Sequence, residues 1–399
     1  MQLTEVSHIV YQALDMLNTQ TVREFSVPPQ TFIGAGALVR CGKAIAERDL
    51  KRVFIIVDNY LHQQNIDDGL YRSLNNANIE YEIITYAGGE PSSQVVEDAA
   101  KQLISAQCDS VLALGGGSVL DAAKVTAMLA ANANLPIDSL ADSHRKLKKR
   151  LPLIAIPTTA GTGSEATNIA VITNTSTGIK QVLVHPQLIP DLAIIDACLT
   201  LGVPAEITAI TGIDALTHAI ETYVALYTTP LTRGFAHRAV NLIGKALPIA
   251  VGQGSNIPAR ESMMLASYMA GMAFSNSGLG LCHATAHQIG STYHIPHGMC
   301  NAIMLPSIMR FNQLVCEQEY AEIGHALTGK SITADETIHA IQKLINGVGL
   351  SKKLADFGAK AEDLPKLADA ATQDICLTTN PRTATADQII GVYQSALNT

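Results

Sequence analysis

The chain has no tryptophan, only 16% charged residues, and no apolar run long enough to span a bilayer, which takes about 20 residues. That last shortage excludes a membrane-spanning helix. Basic residues are also scarce, 27 lysines and arginines against 35 aspartates and glutamates. A net charge of −8 argues against nucleic-acid binding, which goes with a basic balance. Seven cysteines, an odd number with no CxxC pair, do not make a disulfide framework. The first residues lack both early positive charge and a compact apolar block, so they do not read as a signal peptide. Val6, Ile9, Val10, Ala13, Leu14 and Leu17 suit an amphipathic helix there instead. Together these absences point to the cytoplasm. One basic cluster, from His144 to Arg150, reads as a solvated loop ahead of a strand.

What is present is a chain of 399 residues, long enough for a large core and two domains. Up to about residue 200, short apolar runs alternate with helical ones. Strands are expected at 51–58, 81–86, 110–115, 153–157 and 191–196, with helices at 94–106 and 119–131. That alternation indicates a doubly wound parallel sheet. A hairpin is expected over 168–184, turning at Asn174 to Gly178. Beyond Leu201–Pro204 the pattern turns helical, as in Ile210, Ile213, Leu216, Ile220, Tyr223 and Tyr227. The expected fold class is therefore α/β plus all-α: a Rossmann-like parallel-sheet domain over 1–203, then an all-helical domain over 204–399.

Ser110 to Lys124 places three glycines, Gly115, Gly116 and Gly117, between an apolar strand and a helix. Glycines let a backbone approach a ligand closely and adopt conformations closed to other residues. The amides opening the helix then suit a phosphate or pyrophosphate. Gly34-Ala35-Gly36 imitates the start of a dinucleotide fingerprint. It lacks the third glycine and a good preceding strand, and reads as a turn into a helix carrying Cys41 to Arg48. Asp58 closes its strand, where a carboxylate can accept from a ribose hydroxyl and repel a 2′-phosphate, favouring NAD; it could also cap the next helix. Pro157 to Thr167 follows another strand with small, hydroxyl-rich residues, and Thr162 and Glu165 have capping-box spacing.

The densest chemistry lies at 281–298, where four histidines occur without one lysine, arginine, aspartate or glutamate. Asp214 and His218 are spaced i,i+4 in an otherwise apolar helix, as are His283 and His287. Each pair shares a helix face. A buried carboxylate needs a positive partner, and a divalent cation would supply one. Asp214, His218, His283, His287 and His297, with His294 in reserve, are more candidates than a four-ligand site requires. Oxygen and imidazole donors suit Fe(II), Zn(II), Mn(II), Co(II) or Ni(II); Cys282 and Cys300 read as packed core. Such a cation would act as a Lewis acid on a substrate oxygen while a nicotinamide exchanges hydride with the adjoining carbon. No lysine or arginine occurs at 213–232 or 261–309, which favours a small neutral alcohol or aldehyde over a phosphorylated or carboxylated substrate.

Four segments, ALGGGSVLDAAK (113–124), IPTTAGTGSEAT (156–167), GIDALTHAIETYV (212–224) and GLCHATAHQIGSTYHIPHGMCNAIMLP (280–306), resemble the iron-containing (group III) alcohol dehydrogenases in order and spacing. The resemblance covers nearly the whole chain. It implies a metal, Fe(II) by preference, on Asp214, His218, His283 and His297, with His287 between metal and nicotinamide as an aid to proton transfer. It further implies an NAD site lined by Asp58, Gly115, Gly116, Gly117, Ser118, Asp121, Thr158, Thr159, Thr162 and Lys180. The active site would lie in the cleft between the domains, and the chain would assemble as a homodimer or larger. The alternative on the same architecture is a dehydroquinate-synthase-like lyase, which uses NAD only transiently.

Overall fold

The computed structural model describes residues 22–141, 146–175 and 180–398. The expected N-terminal helix and the hairpin tip at 176–179 lie outside them. Strands β1 (Thr31–Ile33), β2 (Arg52–Asp58), β3 (Glu80–Tyr86), β4 (Ser110–Gly115) and β5 (Leu153–Pro157) come first in the chain. The hairpin β6 (Ile169–Thr173) and β7 (Lys180–Val184) and the strand β8 (Leu192–Ile195) follow. Six of these form one sheet in the order β1-β8-β5-β4-β2-β3, every neighbour parallel. Helices α1 (Cys41–Ala46), α2 (Asn59–Gln63), α3 (Asp68–Asn76), α4 (Ser93–Ser105) and α5 (Gly117–Ala131) are interspersed with them.

The central strands read as near-continuous apolar runs because both of their faces are covered. Val53, Ile55 and Val57 of β2 join one core with Leu112, Leu114, Ile154 and Ile156. Phe54 and Ile56 point the other way, into a core with Val111, Ala113, Leu153 and Ala155. Each valine, leucine, isoleucine or phenylalanine among them contributes about 1.5–3 kcal/mol by leaving water.

After Ile195 the described residues contain no further strand. Helices α6 (Ala205–Val224), α7 (Pro230–Gly252), α8 (Ile257–Ser277), α9 (Leu281–Tyr293), α10 (His297–Thr328), α11 (Ala334–Gly347), α12 (Leu364–Thr372) and α13 (Ala386–Asn398) enclose the largest apolar cluster. Tyr227 falls beyond the end of α6, and Pro248 sits inside α7 rather than ending it. The two halves meet closely. Asn168 N–H donates to Ser275 Oγ at 3.0 Å, and the hydroxyls of Thr31 and Tyr268 are 2.6 Å apart. A Cβ on Gly163 would lie 2.7 Å from Gly271 Cα, so this crossing of loop and α8 requires glycine on both sides.

Three sequence expectations need correction. A strand does precede Gly34: β1, only three residues long, pairs with β8 at the sheet edge. The turn after it is held by Asp196, which accepts from the amides of Gly36 and Leu38 at 2.9 and 3.0 Å. Arg150 is not part of a solvated loop; it is buried, pairs with Asp191 at 2.5 Å, and donates to the carbonyls of Gln187, Leu151 and Ile189. Thr162 and Glu165 form no capping box. Thr162 Oγ1 accepts from Ser164 N–H at 3.3 Å, and Glu165 is buried.

Candidate active site

Three helices bring the metal candidates together. On α6 the 3.6-residue period puts Asp214, His218 and Glu221 on one face. His283 and His287 share a face of α9, and His297 opens α10 with Asn301 one turn later. One donor atom from each of Asp214, His218, His283 and His297 lies within 4.8 Å of the others. His297 Nε2 is 3.4 Å and His283 Nε2 3.9 Å from Asp214 Oδ1. The His218 ring stacks between Phe274 at 4.4 Å and His283 at 4.6 Å. Asp214, His218 and His283 are buried, and His297 is the exposed member.

This set fits a divalent cation on its own chemistry. Desolvation holds the His283 imidazole well below its ordinary pKa and lowers that of His218, leaving neutral rings with a lone pair to give. His218 Nδ1 is buried without a hydrogen-bond partner, an unsatisfied polar atom beside the cluster. Among the described residues the only ion-pairing partners of Asp214 are the imidazoles of His283 and His297.

Around the four sit residues that spacing alone did not single out. Glu221 is buried, accepts from Cys282 N–H at 2.6 Å, and lies 2.5 Å from His283 Nδ1. Burial raises its pKa to about 8. Asn301 Nδ2 donates to Asp214 Oδ1 at 2.7 Å and lies 3.2 Å from His283 Nε2. Glu221 could have been found as a third member of the Asp214–His218 stripe, and Asn301 as i+4 from His297. The fifth imidazole, His287, stacks on His297 at 5.4 Å but turns its Nδ1 to Asp374. His294 is the left-handed residue ending α9 and is no member of the group. Cys282 and Cys300 are packed core, as read from the sequence.

The cofactor candidates gather at the carboxyl ends of the strands, where ligands of open α/β sheets bind. Gly115 ends β4, Gly116 precedes α5 and Gly117 opens it, with Ser118 in the first turn. None of the three glycines has a positive φ, so conformation does not explain them. Close approach does: a Cβ on Gly117 would lie 2.9 Å from Thr162 Oγ1, and one on Gly115 2.6 Å from a Val119 methyl. Thr158 N–H donates to Gly115 O at 3.0 Å, seating the threonine loop beside the glycines. That loop also reaches the helical half: a Cβ on Gly161 would lie 2.7 Å from Thr211 Cβ, one turn before Asp214. The loop after β5 and the cluster of metal candidates are therefore neighbours.

Other candidates already have protein partners. Asp58 caps α2, accepting from Tyr60 and Leu61 N–H at 2.9 and 3.2 Å. Asp121 accepts from Ser164 Oγ at 2.7 Å and Val171 N–H at 2.9 Å, and burial raises its pKa. Lys180 forms an ion pair with Glu90.

The sequence and the fold have counterparts among known proteins. Residues 28–197 match the sequence model for iron-containing alcohol dehydrogenase, and residues 208–397 match that for the C-terminal part of the Fe-containing alcohol dehydrogenase family. The probable alcohol dehydrogenase EutG of Salmonella typhimurium is 52% identical over 392 residues, covering 98% of this chain and 99% of its own. An NAD-dependent methanol dehydrogenase of Bacillus methanolicus is 36% identical, with 94% and 99% covered. The crystal structure of a 1,3-propanediol oxidoreductase superposes with a TM-score of 0.90 at 35% identity, covering 94% of this chain and 100% of its own. The chain belongs to the iron-containing alcohol dehydrogenase family. It is an oxidoreductase that interconverts alcohols and their carbonyl counterparts, and the lyase alternative falls, since these relatives are dehydrogenases.

Proposed function

We propose that this chain is an NAD-dependent dehydrogenase of a small neutral alcohol, with Asp214, His218, His283 and His297 holding one divalent metal, Fe(II) by preference. Zn(II), Ni(II), Mn(II) and Co(II) are chemically compatible substitutes. The observation that carries this reading is the convergence of four donors from three helices on one point. Bound there, the cation would supply Lewis acidity toward the substrate oxygen.

The chain's own residues do the rest. Gly115, Gly116, Gly117 and Ser118 present backbone to the dinucleotide phosphates, with Thr158, Thr159 and Thr162 supplying hydroxyls and amides opposite. Asp58 faces the ribose, and Lys180 and Asp121 line the same NAD site. His287, beside His297, accepts the substrate hydroxyl proton in the oxidation direction and returns it in reduction. Hydride passes between the substrate carbon and NAD, so alcohol and NAD⁺ give carbonyl, NADH and a proton.

We place the domain boundary at 203/204, with the nucleotide on 1–203 and the metal on 204–399. The substrate is neutral because the metal segments carry no lysine or arginine and Lys180 is paired with Glu90. Every cysteine among the described residues is free, consistent with the cytoplasm. The working form is a homodimer or larger. An anaerobic panel of alcohols and aldehydes, run with Fe(II) and followed by NADH absorbance in both directions, tests the assignment. Net NADH turnover with an uncharged substrate is expected; turnover only with anionic substrates would overturn it.

A further inference from the structure

His287 is held by a segment far from it in the chain. Its Nδ1 lies 2.8 Å from Oδ2 of Asp374, whose side chain is only 11% exposed. That carboxylate is itself fixed: Oδ1 accepts from Cys376 N–H at 2.9 Å, and Gln288 Nε2 approaches Oδ2 at 3.4 Å. The same stretch grips the start of α9. Asn380 Oδ1 accepts from Leu281 N–H at 3.0 Å, and Thr379 Oγ1 donates to Leu279 O at 2.6 Å. Residues 374–380 thus form a strap tied to α9 at its first turn and again at His287.

A carboxylate can only accept, so the nitrogen facing Asp374 must carry the ring's proton. Burial opposes ionisation of Asp374, but the hydrogen bond and charge of His287 together with the contacts from Cys376 outweigh it and keep the carboxyl below its ordinary pKa. With Nδ1 so committed, Nε2 keeps its lone pair. The ring that carries it lies against His297, at the edge of the metal cluster.

We infer that Asp374 is a positioning residue that fixes His287 as the Nδ1–H tautomer, leaving Nε2 to take the substrate's hydroxyl proton. The inference rests on the reading of His287 as the proton carrier. When the alcohol is oxidised, its C–H electron pair leaves as hydride to NAD⁺ and its O–H proton goes to Nε2. The Asp374 carboxylate then faces an imidazolium, which it stabilises until water takes the proton.

Asp374→Asn is the informative variant, because an amide can turn its NH₂ toward Nδ1 and fix the opposite tautomer. Compared with wild type on metal-loaded enzyme, it should keep its metal and change KM by no more than about threefold. Its kcat should fall about 10²-fold, within the range for a positioned acid–base group. His287→Ala should fall comparably, and the double variant should be no slower than His287→Ala alone. In Zn(II)-loaded, ¹⁵N-histidine-labelled protein, the His287 signal should move from the Nδ1–H to the Nε2–H pattern on Asp374→Asn. Full kcat in Asp374→Asn, an undiminished extra loss in the double variant, or an unmoved signal would each overturn the inference. If Asp374→Asn does not fold, Asp374→Glu, which retains an acceptor, should stay within about tenfold of wild-type kcat; a loss as deep as that of His287→Ala would overturn the inference. Wild-type kcat in His287→Ala would sink the reading of His287 itself. A slow His287→Ala beside an unchanged Asp374→Asn would sink this inference alone.

Discussion

An imidazole binds a cation well only when it is neutral and correctly turned. Burial secures the first condition for His283, and Glu221 secures the second by engaging Nδ1 so that Nε2 faces Asp214. Carboxylate partners of metal-bound histidines typically contribute 10–100-fold to metal affinity. Glu221→Gln should therefore weaken metal binding by about that factor while the four donors stay in place, as competition with a chelator would show. Asp58 tests the nucleotide end. Asp58→Gly keeps most of the helix cap but removes the carboxylate, and the ratio of NADPH-linked to NADH-linked activity should rise. An unchanged ratio would refute that role. At this scale the i,i+4 pairs were legible because helical periodicity is a local signal. Asp374 was not, since 87 positions separate it from His287 and only packing joins them.

Between elements, the site depends on how closely α10 approaches α6. A Cβ on Gly298 would lie 2.2 Å from the carbonyl oxygen of Ile210, so the backbones touch one residue after His297. Gly298→Ala should push α10 away, cost about 1–3 kcal/mol in urea unfolding, and lower metal affinity by separating His297 from Asp214. On the sheet side, Glu165 is enclosed near Lys124, and burial raises its pKa from 4.5 to about 7. The folded state thus holds that proton more tightly than the unfolded chain. Glu165 favours folding most below its unfolded pKa, and that contribution is lost as pH rises toward 7. Glu165→Gln should flatten the resulting decline, about 3 kcal/mol at most, in unfolding curves taken on either side of this window. Most strands and helices were legible because apolar runs and periodicity extend over many residues. β1 was not: three residues at a sheet edge carry too short a pattern, and pairing with β8 alone defines them.

Over the whole molecule, change in sequence grammar near residue 200 marked where strands give way to helices. It could not show how the two halves meet, because that contact rests on single close approaches such as Gly163 with Gly271 and Gly161 with Thr211. Those contacts bring the loop after β5 beside α6, and with it the carboxyl end of the sheet beside the proposed metal cluster. Everything in the functional account depends on a cation at that junction. The most direct test is the metal content per chain of protein purified anaerobically and supplied with Fe(II), comparing wild type with His218→Ala, His283→Ala and His287→Ala. One metal per chain is predicted for wild type and His287→Ala, and essentially none for the other two. Metal retained after loss of His218 or His283, or a wild type that binds none, would contradict the account.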